Sequence, residues 1–170
     1  LICEATIQLT RPPLESSVMV LGVADFPAIM DVLRCFSTDI DLSAFEFFSQ
    51  QALEKVTAHR GHPKPFETEA PFYALLEFEN SSEAVLEQAM AIFETCVESG
   101  WVLDGVLSQS LSQASNLWKL REDISETLWH WKPYKNDISV RVSRMPEFLR
   151  EVDELVARQY PDFEVVWYGH

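Results

Sequence analysis

The sequence predicts an α+β fold: a mostly antiparallel sheet with helices packed on one face, of the ferredoxin-like kind. Three observations carry this. Short strand-like runs alternate with helix-like ones along the chain. Of its 170 residues 47% are apolar and 12% aromatic, enough to bury a substantial core in one domain. There are only five glycines, with no Gly-x-Gly-x-x-Gly and no phosphate loop, which argues against a doubly wound dinucleotide-binding sheet.

The elements follow from local pattern. Residues 2–9 alternate enough to be a strand, ended by Arg11-Pro12-Pro13. Residues 18–23 form a continuous apolar run, the mark of a strand buried on both faces or of a central one. Asp25 with Pro27 opens a helix, and Ile29, Val32, Leu33 and Phe36 follow at helical spacing. Residues 42–48 read as a strand and 49–59 as a short helix. Gly61, Pro63 and Pro65 make 60–69 a loop.

A strand is expected over 72–78. Ser81 and Ser82 cap a long helix with Val85, Leu86, Ala89, Ile92, Phe93 and Val97 on its apolar side, and Gly100 ends it. Residues 101–107 read as a strand and 110–129 as one long helix, with Leu117, Leu120, Ile124 and Leu128 facing the core. Pro133 interrupts, and 137–142 reads as a strand. Ser143 caps a helix that tolerates Pro146 in its first turn and buries Phe148, Leu149, Val152, Leu155 and Val156. Residues 163–168 form the last strand. Two strand-helix-strand halves are compatible with this order.

The formal net charge is -14. Duplex nucleic acid and anionic membrane surfaces are thereby disfavoured, since both need a basic footprint. No apolar run reaches the roughly 18 residues a membrane span needs. Cys3, Cys35 and Cys96 are odd in number and far apart, so mostly buried thiols in a reducing compartment, cytoplasm or mitochondrial matrix, are expected. Asn80-Ser81-Ser82 matches a glycosylation sequon but reads better as a helix opening. The chain begins at Leu1 and stops at Trp167-Tyr168-Gly169-His170 without a polar tail, as expected of a piece of a longer polypeptide.

The few cations are concentrated. No Lys or Arg lies between Lys64 and Lys119, after which Lys119, Arg121, Lys132, Lys135, Arg141 and Arg144 follow closely. Arg121 and Ser125, four apart, share a face if the helix is continuous. A guanidinium takes a carboxylate through two parallel hydrogen bonds, a hydroxyl can add a third, and Lys135 can add a point charge. The alternative is a solvated face on which these cations pair with Glu122, Asp123 and Glu126. His59 and His62 could share a metal, but they flank Gly61 on a loop with no third ligand near and read as an exposed pair. His130, between Trp129 and Trp131, reads as a packing or capping residue. No Ser-His-Asp arrangement or catalytic carboxylate pair is readable; Glu77 with Glu79, and Glu67 with Glu69, lack a nearby nucleophile or base.

Three motifs come in a telling order: Leu117-Trp118-x-Leu120-Arg121-Glu122-x-Ile124, then Tyr134-Lys135-x-Asp137-Ile138-Ser139-Val140, then Tyr168-Gly169-His170. Together they resemble the C-terminal substrate, or cap, domain of FAD-linked oxidases of the vanillyl-alcohol-oxidase type, which include D-lactate and glycolate dehydrogenases. Leu42-Ser43-Ala44-Phe45-Glu46-Phe47, Pro71-Phe72-Tyr73 and Asp104-Gly105 resemble the D-2-hydroxyglutarate dehydrogenase branch in particular. Ile2-Cys3-Glu4-Ala5-Thr6 resembles the junction after the FAD-binding domain. The resemblance spans nearly the whole chain.

The resemblance implies that residues 1–10 end a junction from an FAD-binding domain, and that 11–170 are a substrate domain truncated at its C-terminal end. It implies that Arg121 binds the substrate carboxylate, that Ser125 replaces a usual threonine while keeping the hydroxyl, and that Lys135 contacts the same substrate. His170 matches the first histidine of Gly-His-x-Gly-Asp-Gly-Asn-x-His, which in metal-dependent members helps hold a divalent ion, often zinc. The implied activity is oxidation of a 2-hydroxy acid, of the D-2-hydroxyglutarate or D-lactate class, with hydride passing to FAD. The implied partners are that acid, the FAD-binding domain and an electron acceptor; a homodimer is compatible with the chain as well. By itself this chain would hold no metal stably and turn nothing over. Asn136 and Arg141 depart from the family pattern, which has an aromatic and a proline there, and leave the choice of acid open. A stand-alone ferredoxin-like ligand-binding or dimerisation module is the alternative, and an acid-anhydride hydrolase on the same fold lacks its glycine-bearing phosphate loop.

Overall fold

The computed structural model describes residues 2–9 and 15–170. Strand β1, Ser16–Val23, lies inside a five-stranded sheet. Helix α1, Phe26–Asp39, follows, with the Asp25 carboxylate accepting from the Ala28 N–H at 2.8 Å and Pro27 in the first turn. Then come β2, Leu42–Ser49, α2, Gln50–Arg60, β3, Phe72–Glu79, α3, Glu83–Glu98, and β4, Val102–Leu107. Helix α4, Leu111–Glu122, leads into a short α5, Ile124–Leu128, and a 3-10 turn over Trp129–Trp131. Helix α6, Met145–Gln159, and the two-residue strand β5, Tyr168–Gly169, complete the chain.

The strand order is β4-β1-β3-β2-β5, and each neighbouring pair is antiparallel. Strands β1 to β4 with α1 and α3 make the β-α-β-β-α-β arrangement of a ferredoxin-like core. The expected class and antiparallel sheet are thus present. The helices, however, cover both faces rather than one. Met19, Leu21 and Val23 pack with Phe26, Ile29, Val32 and Phe36 of α1 and with Ala89 and Cys96 of α3. On the opposite face Val18 and Val20 pack with Ala52, Leu53 and Val56 of α2, and with Leu117, Leu120, Ile124 and Leu128 of α4 and α5. Alternation along β1 sends successive side chains to the two clusters, which is why its sequence is apolar throughout.

Several expected elements are corrected. Among the described residues, 2–9 form no strand; Ile2, Ile7 and Leu9 are exposed, and the segment is not one of the five strands of the sheet. The expected stop at Arg11-Pro12-Pro13 lies outside the described residues. Residues 137–142 are likewise not a strand: they lie outside the five-stranded sheet and run without regular structure into a 3-10 turn over Val142–Arg144. The last strand is confined to Tyr168–Gly169. The long helix expected over 110–129 breaks at Asp123, which has φ -75° and ψ -6°. Ser82 stands at the start of α3 without a side-chain cap bond, and α6 begins after Arg144, not Ser143. Of the stripe predicted on α6 only Leu149 is buried; Leu155 is exposed. Cys96 is buried and Cys35 half-buried as expected, but Cys3 is exposed. Among the described residues no helix is long and apolar enough to cross a membrane.

Candidate functional site

Helix α4 is set by its apolar face. The Ser110 hydroxyl caps it by accepting from the Gln113 N–H at 3.2 Å, and Ala114, Leu117 and Leu120 are buried against the sheet. Arg121 therefore stands in the last helical turn, where a cation also complements the helix dipole. Its Nη2 lies 2.8 Å from Oε2 of Glu46, and both side chains are only 16% exposed. The guanidinium carbon lies 5.1 Å from the centroid of the Tyr168 ring, within cation–π range. Phe47 belongs to the α1–α3 cluster and Phe48 to the α2–α4 cluster. Strand alternation then puts Glu46 on the α4 face with Phe48, and Tyr168 packs on that same face.

The break at Asp123 starts a new helical segment, with the Thr127 N–H bonded to the Asp123 carbonyl at 2.9 Å. Ser125 sits in its first turn. Lys135 Nζ donates to Ser125 Oγ at 3.2 Å and lies 3.9 Å from Asp137. Lys135 reaches back from a segment without regular structure, after Lys132 has turned the chain with φ 52°. The structure thus joins Ser125 to Lys135 and Arg121 to Glu46, on either side of one helix break.

The break is held from the last residue of α2 and the loop after it. His62 Nε2 is 2.7 Å from the Asp123 carboxylate, Arg60 Nη2 is 2.8 Å from Glu126, and Arg60 Nε donates to the buried Thr127 hydroxyl at 3.3 Å. These contacts correct two expectations. Asp123 and Glu126 do not pair with the cations of their own segment, and Arg121 finds its acid on β2 instead. His62 is half-buried and engaged, while His59 packs against the rings of His130 and Trp131. His130 has the packing role expected of it. Glu46 was the missed residue. Its signal was an acid between Phe45 and Phe47, at a strand position whose alternation faces a core.

His170 follows β5 directly and is exposed. Among the described residues no group of three or more His, Cys, Asp or Glu could hold a metal. Asp104-Gly105 has a structural role: a Cβ on Gly105 would stand 2.7 Å from the Phe93 ring and 2.8 Å from Leu21. The glycine lets α3 seat Phe93 on β4.

Residues 12–170 match the family described as FAD linked oxidases, C-terminal domain. Over 169 residues, 99% of the chain, the sequence is 59% identical to the D-2-hydroxyglutarate dehydrogenase of Stutzerimonas stutzeri. It is 51% identical over its full length to the protein of that name from Xanthomonas citri pv. viticola. Over 96% of its length it is 33% identical to a mitochondrial D-2-hydroxyglutarate dehydrogenase of Bos taurus. The chain spans about a third of each of these relatives: 36%, 36% and 31%.

Proposed function

The chain belongs to the C-terminal domain family of FAD-linked oxidases, and from that premise we propose that it is the substrate domain of an FAD-dependent 2-hydroxy-acid dehydrogenase of the D-2-hydroxyglutarate class. The observation that carries this is the pair of cation contacts on the two sides of the α4–α5 break. Arg121 is fixed on two sides, and Lys135 with Ser125 stands one helical step away. A dicarboxylic 2-hydroxy acid carries two carboxylates for these two cations, each cation being partly offset by an acid of its own, Glu46 or Asp137.

Arg121 anchors one carboxylate through charge-assisted N–H bonds, and Lys135 adds attraction while the Ser125 hydroxyl supplies a directional contact. This domain contributes placement: an acid held at a fixed point presents its α-carbon in one orientation. The family's link to FAD assigns the redox chemistry to that group, which is proposed to bind the larger part of the protein. His170 offers one imidazole with no second and third donor beside it, so the described residues do not by themselves make a metal site. A divalent metal such as zinc in the whole enzyme would take its other ligands from elsewhere. Residues 1–10 are proposed as the end of the junction from the FAD-binding domain. That domain, the electron acceptor and a second copy of the chain are the proposed partners.

The test is steady-state oxidation of D-2-hydroxyglutarate, D-lactate and glycolate by the full-length protein with a dye acceptor. D-2-hydroxyglutarate is expected to lead in kcat/KM by at least about tenfold. Two charge-assisted hydrogen bonds at about 1.5–3 kcal/mol each predict that Arg121→Ala lowers kcat/KM by roughly two to four orders of magnitude. An unchanged value would remove Arg121 from substrate binding.

A further inference from the structure

We infer that Glu46 is a positioning residue, which fixes the direction in which the Arg121 guanidinium faces a carboxylate ligand. The inference rests on the reading of Arg121 as the carboxylate anchor, and deepens it.

The placement of Glu46 is unexpected on packing grounds. It lies between Phe45 and Phe47 on β2, with Phe48 beyond, and its side chain is only 16% exposed. A carboxylate taken out of water there is unfavourable unless it is paired. Its partner is a single cation, Arg121 Nη2 at 2.8 Å. Arg121 Nε is buried without a hydrogen-bond partner, and Glu46 Oε2 is also buried without an aligned hydrogen bond. The contact is therefore close but not linear, with the inner part of the guanidinium turned into the protein. Glu46 occupies one side of Nη2. With Nε buried and Nη2 held against Glu46, the guanidinium can offer a ligand only the side away from these two contacts instead of rotating freely. The Tyr168 ring at 5.1 Å restrains its plane.

Glu46 also links the anchor to the strand that ends in His170. Phe47 pairs with Gly169 and Phe48 with Tyr168. Continuing that antiparallel register by one step brings Glu46 opposite His170. The residue that orients Arg121 thus belongs to the same three-residue stretch that sets the position of β5. A ligand gripped by Arg121 is referenced to His170 through one strand.

Charge gives the test its discriminating power. Glu46 cancels the charge of Arg121, so it does not strengthen anion binding; it lowers it while imposing direction. Glu46→Gln keeps the volume and removes the charge. In the full-length enzyme it is expected to lower kcat for D-2-hydroxyglutarate by at least about tenfold. The inhibition constant of glutarate, the dicarboxylate lacking the hydroxyl, should stay the same or fall, since the guanidinium remains with one less neighbouring negative charge. Glu46→Asp, which keeps the charge, is expected to recover part of kcat. Glu46→Gln in an Arg121→Ala background should cause no further loss.

A kcat within twofold of the parent overturns the inference. So does a parallel loss of kcat, glutarate binding and thermal midpoint, which would mean a structural role only. Independent, multiplicative losses in the double variant overturn it as well. If Arg121→Ala alone leaves both kcat/KM and glutarate binding unchanged, the underlying reading of Arg121 fails, and that result is distinct from the others.

Discussion

Cys96 offers a quantitative test of how tightly α3 is seated on the sheet. Its side chain is fully buried. Burial first, with Cys35 and Asp31 adding, pushes its thiol up from 9.0 to about 12. The thiolate is the reacting species. At pH 8.5 a thiol at the ordinary value is about a quarter ionised, and one at 12 is ionised to roughly three parts in ten thousand. Alkylation by iodoacetamide should therefore be slower by about a thousandfold in the native protein than in urea, followed by mass spectrometry of the Cys96 peptide. Rates within tenfold of each other would refute the burial argument. Linkage supplies an independent measure. The folded value lies above the unfolded one, so this stabilisation is complete below pH 9 and is lost as pH rises from 9 through 12. By pH 11 the loss amounts to about 2–3 kcal/mol. Tyr73, also raised chiefly by burial, acts with the same sign at higher pH, so Cys96→Ala serves as the control. It should flatten the alkaline fall in urea midpoint between pH 9 and 11. An unchanged slope would show that Cys96 does not cause it.

Two further outcomes follow from the site and its supports. Ser125→Ala removes the acceptor of the 3.2 Å bond from Lys135 and should raise KM for the preferred acid by about threefold to tenfold, the worth of one hydrogen bond, while Ser125→Thr should restore it; equal KM values in all three proteins would take Ser125 out of the site. The Tyr73 hydroxyl donates to Gln50 at 2.6 Å and accepts from the buried Ala70 N–H at 3.3 Å, so Tyr73→Phe, which leaves both without that partner, should cost about 1–3 kcal/mol in urea denaturation, and a loss under about 0.5 kcal/mol would show that neither bond matters.

The elements that could be read from sequence are those whose pattern has a local cause. The Asp25–Pro27 start of α1 is a short-range signal, and so is the left-handed glycine that ends α2 or follows α3. Strand β1 was legible because a strand covered on both faces is apolar at every position. The failures share another cause. Residues 2–9 and 137–142 have strand-like alternation, but a strand exists only where the chain joins a sheet, and among the described residues neither segment belongs to the five-stranded sheet. The kink at Asp123 was hidden because Leu117, Leu120, Ile124 and Leu128 keep helical spacing across it. Its cause lies some sixty residues earlier, in Arg60 and His62.

The site divides along the same line. Sequence alone determined that this acidic chain gathers its cations between Lys119 and Arg144, and the order of motifs carried the resemblance to FAD-linked oxidases. It also put Arg121 and Ser125 close together, since four residues is one helical turn. Only the tertiary structure decided what each faces. Arg121 turns to Glu46 and Tyr168, and Ser125 turns to Lys135, because pairing across a sheet brings together residues that no local spacing connects. Charge content is a property of the chain, but the direction of a charge is set by packing.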